Sequence, residues 1–144
     1  MYGLEYNKGQ RLSMEIDNTA GILPNTFVIP STAAGTCKPP TGANEDGVIG
    51  VIQGRPAYGK DIVTDLIEDD KDVEVIRDGV VQVQADMALI FGDKIMTSAT
   101  PGYATKAVHV TPEETYVIGR AWETTSTSGL TAILLELPGR VLTL

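Results

Sequence analysis

Apolar residues in this chain recur in short, β-branched bursts, and helical periodicity is nearly absent. The clearest burst is V-E-V-I-R-D-G-V-V-Q-V-Q, in which Val73, Val75, Val81 and Val83 sit among polar neighbours. That is the period of strands with one buried face. A two-residue turn at Asp78-Gly79 would set Val75 opposite Gln82 and mix the faces. A three-residue loop, Arg77-Asp78-Gly79, instead pairs Val75 with Val81 and Val73 with Val83. Gly79 then takes the left-handed position of a bulged hairpin. The second register is the expected one. Further strands are expected at 11–16, 26–29, 47–53, 61–66, 94–97, 115–123 and 130–137, separated by Gly, Pro, Ser, Thr and Asn clusters. This spacing implies an all-β sandwich or barrel. Its expected core includes Val73, Val75, Val81, Val83, Ile118, Ile133 and Leu135. Residues 30–46, with Pro39, Pro40, Gly42 and Asn44, read as an irregular loop of functional length or as a mobile one. The only helix candidate is 62–71. Its Asp65, Glu68, Asp69 and Asp70 make it read equally well as a strand ending in a charged turn.

The two halves carry a faint internal similarity. G-I-L-P-N-T-F-V-I-P-S-T-A-A-G-T followed by G-V-I-G-V resembles A-L-I-F-G-D-K-I-M-T-S-A-T-P-G-Y followed by Y-V-I-G-R. Leu23 falls on Ile90, Phe27 on Lys94, Val28 on Ile95, Gly35 on Gly102 and Gly50 on Gly119. Two copies of one β unit, packed face to face, would bury what neither buries alone.

Length and composition narrow the functional classes. With 144 residues, 42% hydrophobic and 21% charged, the chain suits one globular domain, two at most. No apolar run approaches the roughly 18–20 residues of a membrane-spanning helix. The first residues lack the basic and apolar regions of a secretion signal. A single cysteine, Cys37, excludes an internal disulfide and a cysteine-based zinc site. The net charge of −8 repels phosphate backbones and argues against direct nucleic-acid binding.

Four candidate chemistries follow, each weaker than its plain alternative. Gly54-Arg55-Pro56-Ala57-Tyr58-Gly59-Lys60-Asp61 follows an apolar run and spells most of a phosphate-binding loop. Pro56 removes one backbone donor, and Asp61 replaces the hydroxyl that would hold magnesium. The segment reads as a turn. The acidic run Asp65, Glu68, Asp69, Asp70, Asp72 and Glu74 lacks the glycine of a calcium loop and reads as a solvated surface. His109, between Val108 and Val110, is the only histidine, and no nucleophile elbow accompanies it. Tyr103 and Trp122 are candidates for a sugar-stacking surface, although a lone Trp at a strand end is more often core or interface.

One long stretch resembles a known family. I-R-D-G-V-V-Q-V-Q-A-D-M-A-L-I-F-G-D-K-I-M-T-S-A-T-P-G-Y-A-T-K-A, then Y-V-I-G-R-A-W and A-I-L-L-E-L-P-G, resembles the capsid cement (head decoration) proteins of tailed viruses. The likeness lies in the order of a glycine turn at Gly79, the strand Val81-Val83-Ala85, Gly92-Asp93 and Gly102-Tyr103-Ala104. It continues through Val117-Ile118-Gly119-Arg120-Ala121 and the apolar strand from Ala132 to Gly139. It spans about residues 47–140, while the region before Gly47 departs from compact members.

The resemblance implies a small β-barrel or β-tulip-like domain over 11–144, with short strands, the long 30–46 loop and an extended arm over 1–10. It implies a non-enzymatic virion protein, made in the host cytoplasm, that binds the outside of an assembled icosahedral capsid and stabilises it. The implied partners are the major capsid protein and two further copies in a homotrimer at local threefold positions. No cofactor, metal, nucleic acid, membrane or small-molecule substrate is implied. Tyr2, Leu4, Glu5 and Tyr6 are the expected capsid-binding residues. Tyr2, Leu4 and Tyr6 alternate with Gly3, Glu5 and Asn7, which suits a strand added to a partner's sheet edge, against the plain reading of a frayed terminus. The alternative function is a carbohydrate-binding head or tail module using Tyr103, Trp122 and the 30–46 loop. Because Pro56 and Asp61 break the phosphate loop, calorimetry with ATP and magnesium should detect no Lys60-dependent binding in the micromolar range.

Overall fold

The computed structural model describes residues 11–53, 65–108 and 114–141, and these form ten strands and no helix. The first five strands are β1 (Arg11–Ile16), β2 (Thr26–Pro30), β3 (Thr36–Lys38), β4 (Gly50–Ile52) and β5 (Asp72–Ile76). They close into a barrel in the order β1-β3-β2-β4-β5. The second five are β6 (Gly79–Ala85), β7 (Lys94–Thr97), β8 (Ala104–Lys106), β9 (Tyr116–Ala121) and β10 (Gly129–Val141). They close in the order β10-β6-β8-β7-β9. The all-β barrel class expected from the strand spacing is therefore present, twice over.

The two barrels are the same structure. Each has one parallel seam, β1 with β3 and β6 with β8, and every other pairing is antiparallel. The registers coincide as well. Arg11↔Ile76 and Glu15↔Asp72 in the first barrel match Val80↔Leu134 and Gln84↔Leu130 in the second. Ile52↔Val75 matches Ala121↔Ile133, and Val28↔Gly50 matches Ile95↔Gly119. A one-residue slip would turn every side chain to the opposite face, so shared register means shared inside and outside. The faint sequence similarity is thus a structural duplication.

Local hydrogen bonds repeat too. Asp17 N–H donates to Cys37 C=O at 2.8 Å, and Asp86 N–H donates to Ala104 C=O at 3.0 Å. The Ser31 hydroxyl donates to Asp17, and the Ser98 hydroxyl donates to Asp86. The same Ser–Asp clip at equivalent places in both copies identifies it as part of the fold, not as an activated nucleophile. Gly50 and Gly119 are equivalent for one steric reason. A Cβ on Gly119 would lie 2.6 Å from the Leu134 carbonyl oxygen and 3.0 Å from Ile133 Cγ2. On Gly50 it would strike the corresponding atoms of Ile76 and Val75, closer still. This close approach of β4 to β5, and of β9 to β10, is why both copies spell Val-Ile-Gly.

The interior of the first barrel is Ile16, Ile22, Val28, Cys37, Ile52, Val73 and Val75. The second uses smaller residues at four of these places: Ala85, Ala104, Ala121 and the buried Thr131. Its cluster also includes Phe27, Ile29, Val51 and Ile76 from the outer face of the first barrel. All seven expected core residues are buried, Val73 and Val75 in the first cluster and the rest in the second.

The hairpin reading is overturned. β5 pairs with β1 and β4, β6 pairs with β10 and β8, and Val75 lies opposite Leu12 instead of Val81. Gly79 does have positive φ, at 83°, but there it turns the chain out of one barrel into the next. Two strands of matching period were joined by turn residues, and the alternation could not reveal that each had another partner. Strand β3 lies inside the segment expected to be irregular, and β8 was not foreseen. The expected 61–66 strand lies mostly outside the described residues. Beyond it, Ile67 forms an isolated bridge with Ile22.

The glycine equivalence predicts that Gly50→Ala and Gly119→Ala each destabilise the protein by about 1–3 kcal/mol or more through overpacking, read as a lowered urea midpoint. Cys37 gives a second test. Burial pushes its thiol up to about 11, from 9.0 in the exposed state. The stability held by the neutral thiol is complete below pH 9 and is lost as pH rises toward 11. Cys37→Ala, which installs the residue found at the equivalent Ala104, should flatten that part of the stability profile. The accompanying cost is about 1 kcal/mol at neutral pH.

Candidate functional site

The barrels are joined by a strand start driven into a seam. β6 and β8 register only at Ala85↔Ala104, and beyond that point the parallel seam of the second barrel parts. Asn25, Thr26 and Phe27, at the start of β2, occupy the gap. Gln84 N–H donates to Asn25 C=O at 2.8 Å, and Phe27 N–H donates to Gly102 C=O at 2.9 Å. Gly102 has φ of 86°, and a Cβ there would meet Thr26 Cβ at 2.8 Å. The glycine is thus required both by its turn and by its neighbour from the other barrel.

The 30–46 segment is a strap across the same junction. Asn44 N–H donates to Thr97 C=O at 3.0 Å, and its side-chain Oδ1 accepts from Tyr116 N–H at 2.8 Å. Asn44 Nδ2 donates to Glu114 C=O. Glu45 N–H donates to Thr97 Oγ1 at 2.7 Å, and that hydroxyl donates to Gly42 C=O at 3.1 Å. Residues 42–45 are thus tied to Thr97 of β7 and to Glu114 and Tyr116 at the start of β9. The polar groups of the Asn44 side chain are spent on the junction.

The exposed chemistry lies at the other end of the second barrel. Ile90, Phe91 and Trp122 are 63%, 58% and 45% exposed. The Phe91 and Trp122 rings sit 5.3 Å apart, tilted by 46°. Their two loops are zipped by backbone and hydroxyl hydrogen bonds. Leu89 N–H donates to Thr125 Oγ1 at 3.0 Å, and Thr125 N–H returns to Leu89 C=O at 2.8 Å. Phe91 N–H donates to Thr124 Oγ1 at 3.0 Å. Trp122 N–H donates to Ala132 C=O at 2.8 Å, and Glu123 Oε2 accepts from Ala132 N–H at 2.7 Å. Asp93 Oδ2 accepts from Ile90 N–H at 2.9 Å, and Asp93 Oδ1 lies 3.7 Å from Lys106 Nζ. The apolar platform is therefore rigid before anything binds, so docking on it costs little ordering entropy.

The sequence singled out Trp122 but not Ile90 or Phe91, and the signal for them was present: two large apolar residues abutting a Gly-Asp turn, where polar residues are usual. Tyr103 does not join Trp122. It follows Gly102 at the turn between β7 and β8, beyond the Thr97 end of β7, whereas Trp122 lies beyond the Lys94 end, next to β9. Among the described residues, no three His, Cys, Asp or Glu side chains converge as a metal site. Asp69 of the acidic run accepts the Asn18 N–H at 2.9 Å. Tyr2, Leu4, Glu5 and Tyr6, the segment from Gly54 to Asp61, and His109 lie outside the described residues.

No family model matches the chain, and no curated protein matches it. Among solved structures, it is similar to the N base of the head fiber protein gp8.5 of bacteriophage phi29. The two are 12% identical, the match covers 92% of this chain and 98% of that one, and the TM-score is 0.52. At that identity the likeness establishes a common fold, and it extends over both barrels.

Proposed function

We propose that this chain is a non-enzymatic structural protein of a phage virion that binds the outer surface of the icosahedral head and stabilises it. The observation that carries this reading is the likeness to a phage head-fiber base across nearly the whole of both chains. The sequence resemblance to capsid cement proteins rests on different features, the order of glycine turns and strands, and it too supports a structural role in the virion. In this reading the partner is the major capsid protein. The protein attaches as a trimer at local threefold positions, with Tyr2, Leu4, Glu5 and Tyr6 adding to a capsid sheet edge. Three arms on one trimer raise the effective affinity by linked attachment, although each arm loses about 1–2 kcal/mol per residue in backbone entropy on ordering.

A second reading is favoured by one observation, the exposed Phe91–Trp122 pair: a head-borne module that stacks sugars. Its tilted rings suit a wedge better than the flat face of a pyranose, which ranks it below the first.

Removing residues 1–8 should leave the barrels folded by circular dichroism yet abolish co-sedimentation with expanded, undecorated shells of the cognate virus. Near-native binding by the truncated protein would rule out the arm as the attachment. Glycan binding by an intact protein that never binds shells would favour the second reading.

A further inference from the structure

The contact between the two copies of the barrel is head to tail, not face to face as the duplication alone suggested. One copy gives and the other receives, so each barrel also carries the half of the contact that it does not use. The giving half of the first barrel is Asn25–Phe27, with Pro24 buried behind it. Its counterpart in the second barrel is Gly92-Asp93-Lys94, with Ile90 and Phe91 at the places of Leu23 and Pro24, and Trp122 following β9 as Gln53 follows β4. The three large residues of that set are the exposed platform. The receiving half of the second barrel is the Gly102 turn and Gln84. Its counterpart in the first barrel is the Ala33-Ala34-Gly35 turn and Glu15, all exposed. Gly35 has φ of 77° and open space within 4 Å of its Cβ position, where Gly102 meets Thr26.

We propose that the protein associates with a second copy of itself by repeating this contact between molecules. The Ile90–Phe91–Trp122 platform of one copy docks on the 33–35 turn of the next. Charge supports that choice of partner. The exposed Lys94 takes the place of Phe27, and the exposed Glu15 takes the place of Gln84. A dock with the internal geometry brings this cation and this carboxylate together. In the first barrel, Glu15 N–H already donates to Gly35 C=O at 2.9 Å, so that seam is closed. The contact between molecules is therefore made by side chains, and it is weaker and more salt-sensitive than the internal one. A heterologous contact either closes a ring or grows a filament. The inference does not rest on the capsid reading, and its test contains no shells.

The test is sedimentation of the full-length protein across the micromolar range, with circular dichroism to confirm folding. Wild type should exceed monomer mass, with association weakened by salt. Phe91→Glu removes the giving half, and Ala34→Arg blocks the receiving half. Each alone should be monomeric. Mixed together they should form 1:1 dimers and nothing larger, because the mixture holds one working half of each kind. Should Phe91→Glu misfold, Trp122→Ser carries the same arm of the test. Lys94→Glu should weaken association, and Glu15→Lys in the same chain should restore it. A wild type that stays monomeric, a single variant that keeps the wild-type mass, or a mixture that stays monomeric overturns the proposal. A monomeric wild type that binds a glycan array through Trp122 overturns it as well and gives the platform to sugars.

Discussion

Two backbone hydrogen bonds, Gln84 N–H to Asn25 C=O and Phe27 N–H to Gly102 C=O, set the architecture. They hold the start of a strand from one barrel in the parted parallel seam of another. An unpaired seam leaves donors and acceptors without partners, which is costly once buried. In the second barrel, Gln84 N–H and Gly102 C=O do not pair with each other as the equivalent Glu15 N–H and Gly35 C=O do in the first. The first barrel supplies the missing partners, and with them Phe27, whose ring joins a cluster lined by Ala85, Ala104 and Ala121. Burial and hydrogen bonding therefore favour the same docked arrangement.

Duplication explains features that are otherwise unrelated. The paired Val-Ile-Gly strands, the paired Ser–Asp clips and the paired glycine turns are single solutions used twice. The copies diverge where their surroundings diverge. Outward residues that the first barrel buries, Phe27 and Val51, become exposed Lys94 and Arg120 in the second, and Arg120 pairs with Glu136 at 3.2 Å. The connection from β4 to β5, 53–71, is much longer than its counterpart 122–128, so the phosphate-loop spelling sits in a stretch without an equivalent in the other copy.

What could be read from sequence was whatever depends on local period and turn chemistry. Seven buried positions, the bounds of β1 and β7, and the positive φ of Gly79 all follow from alternation and glycine placement. Partner choice did not follow. Val73–Val83 fits a hairpin locally, and only closure of β5 onto β1 and β4 forbids it. Strands of three residues, such as β3 and β8, fall below the length at which alternation is a signal. The platform was half legible: Trp122 by its rarity, Phe91 only by its odd position at a turn. Tyr103 was grouped with Trp122 because both are aromatic, and β7 places them at opposite ends.

The pairing of Arg11 with Ile76 has a mechanical meaning. The first described residue of the chain lies beside the last residue of β5, immediately before the 77–79 link to the second barrel. A pull entering at β1 is carried laterally into β5 and then straight along the chain into the other barrel. It reaches the far unit without crossing the interior of the near one. Because Arg11 and Ile76 face each other at one end of the β1–β5 ladder, that load opens the ladder pair by pair from that end, and the pairing of β1 with β3 at Glu15 and Ile16 is reached last.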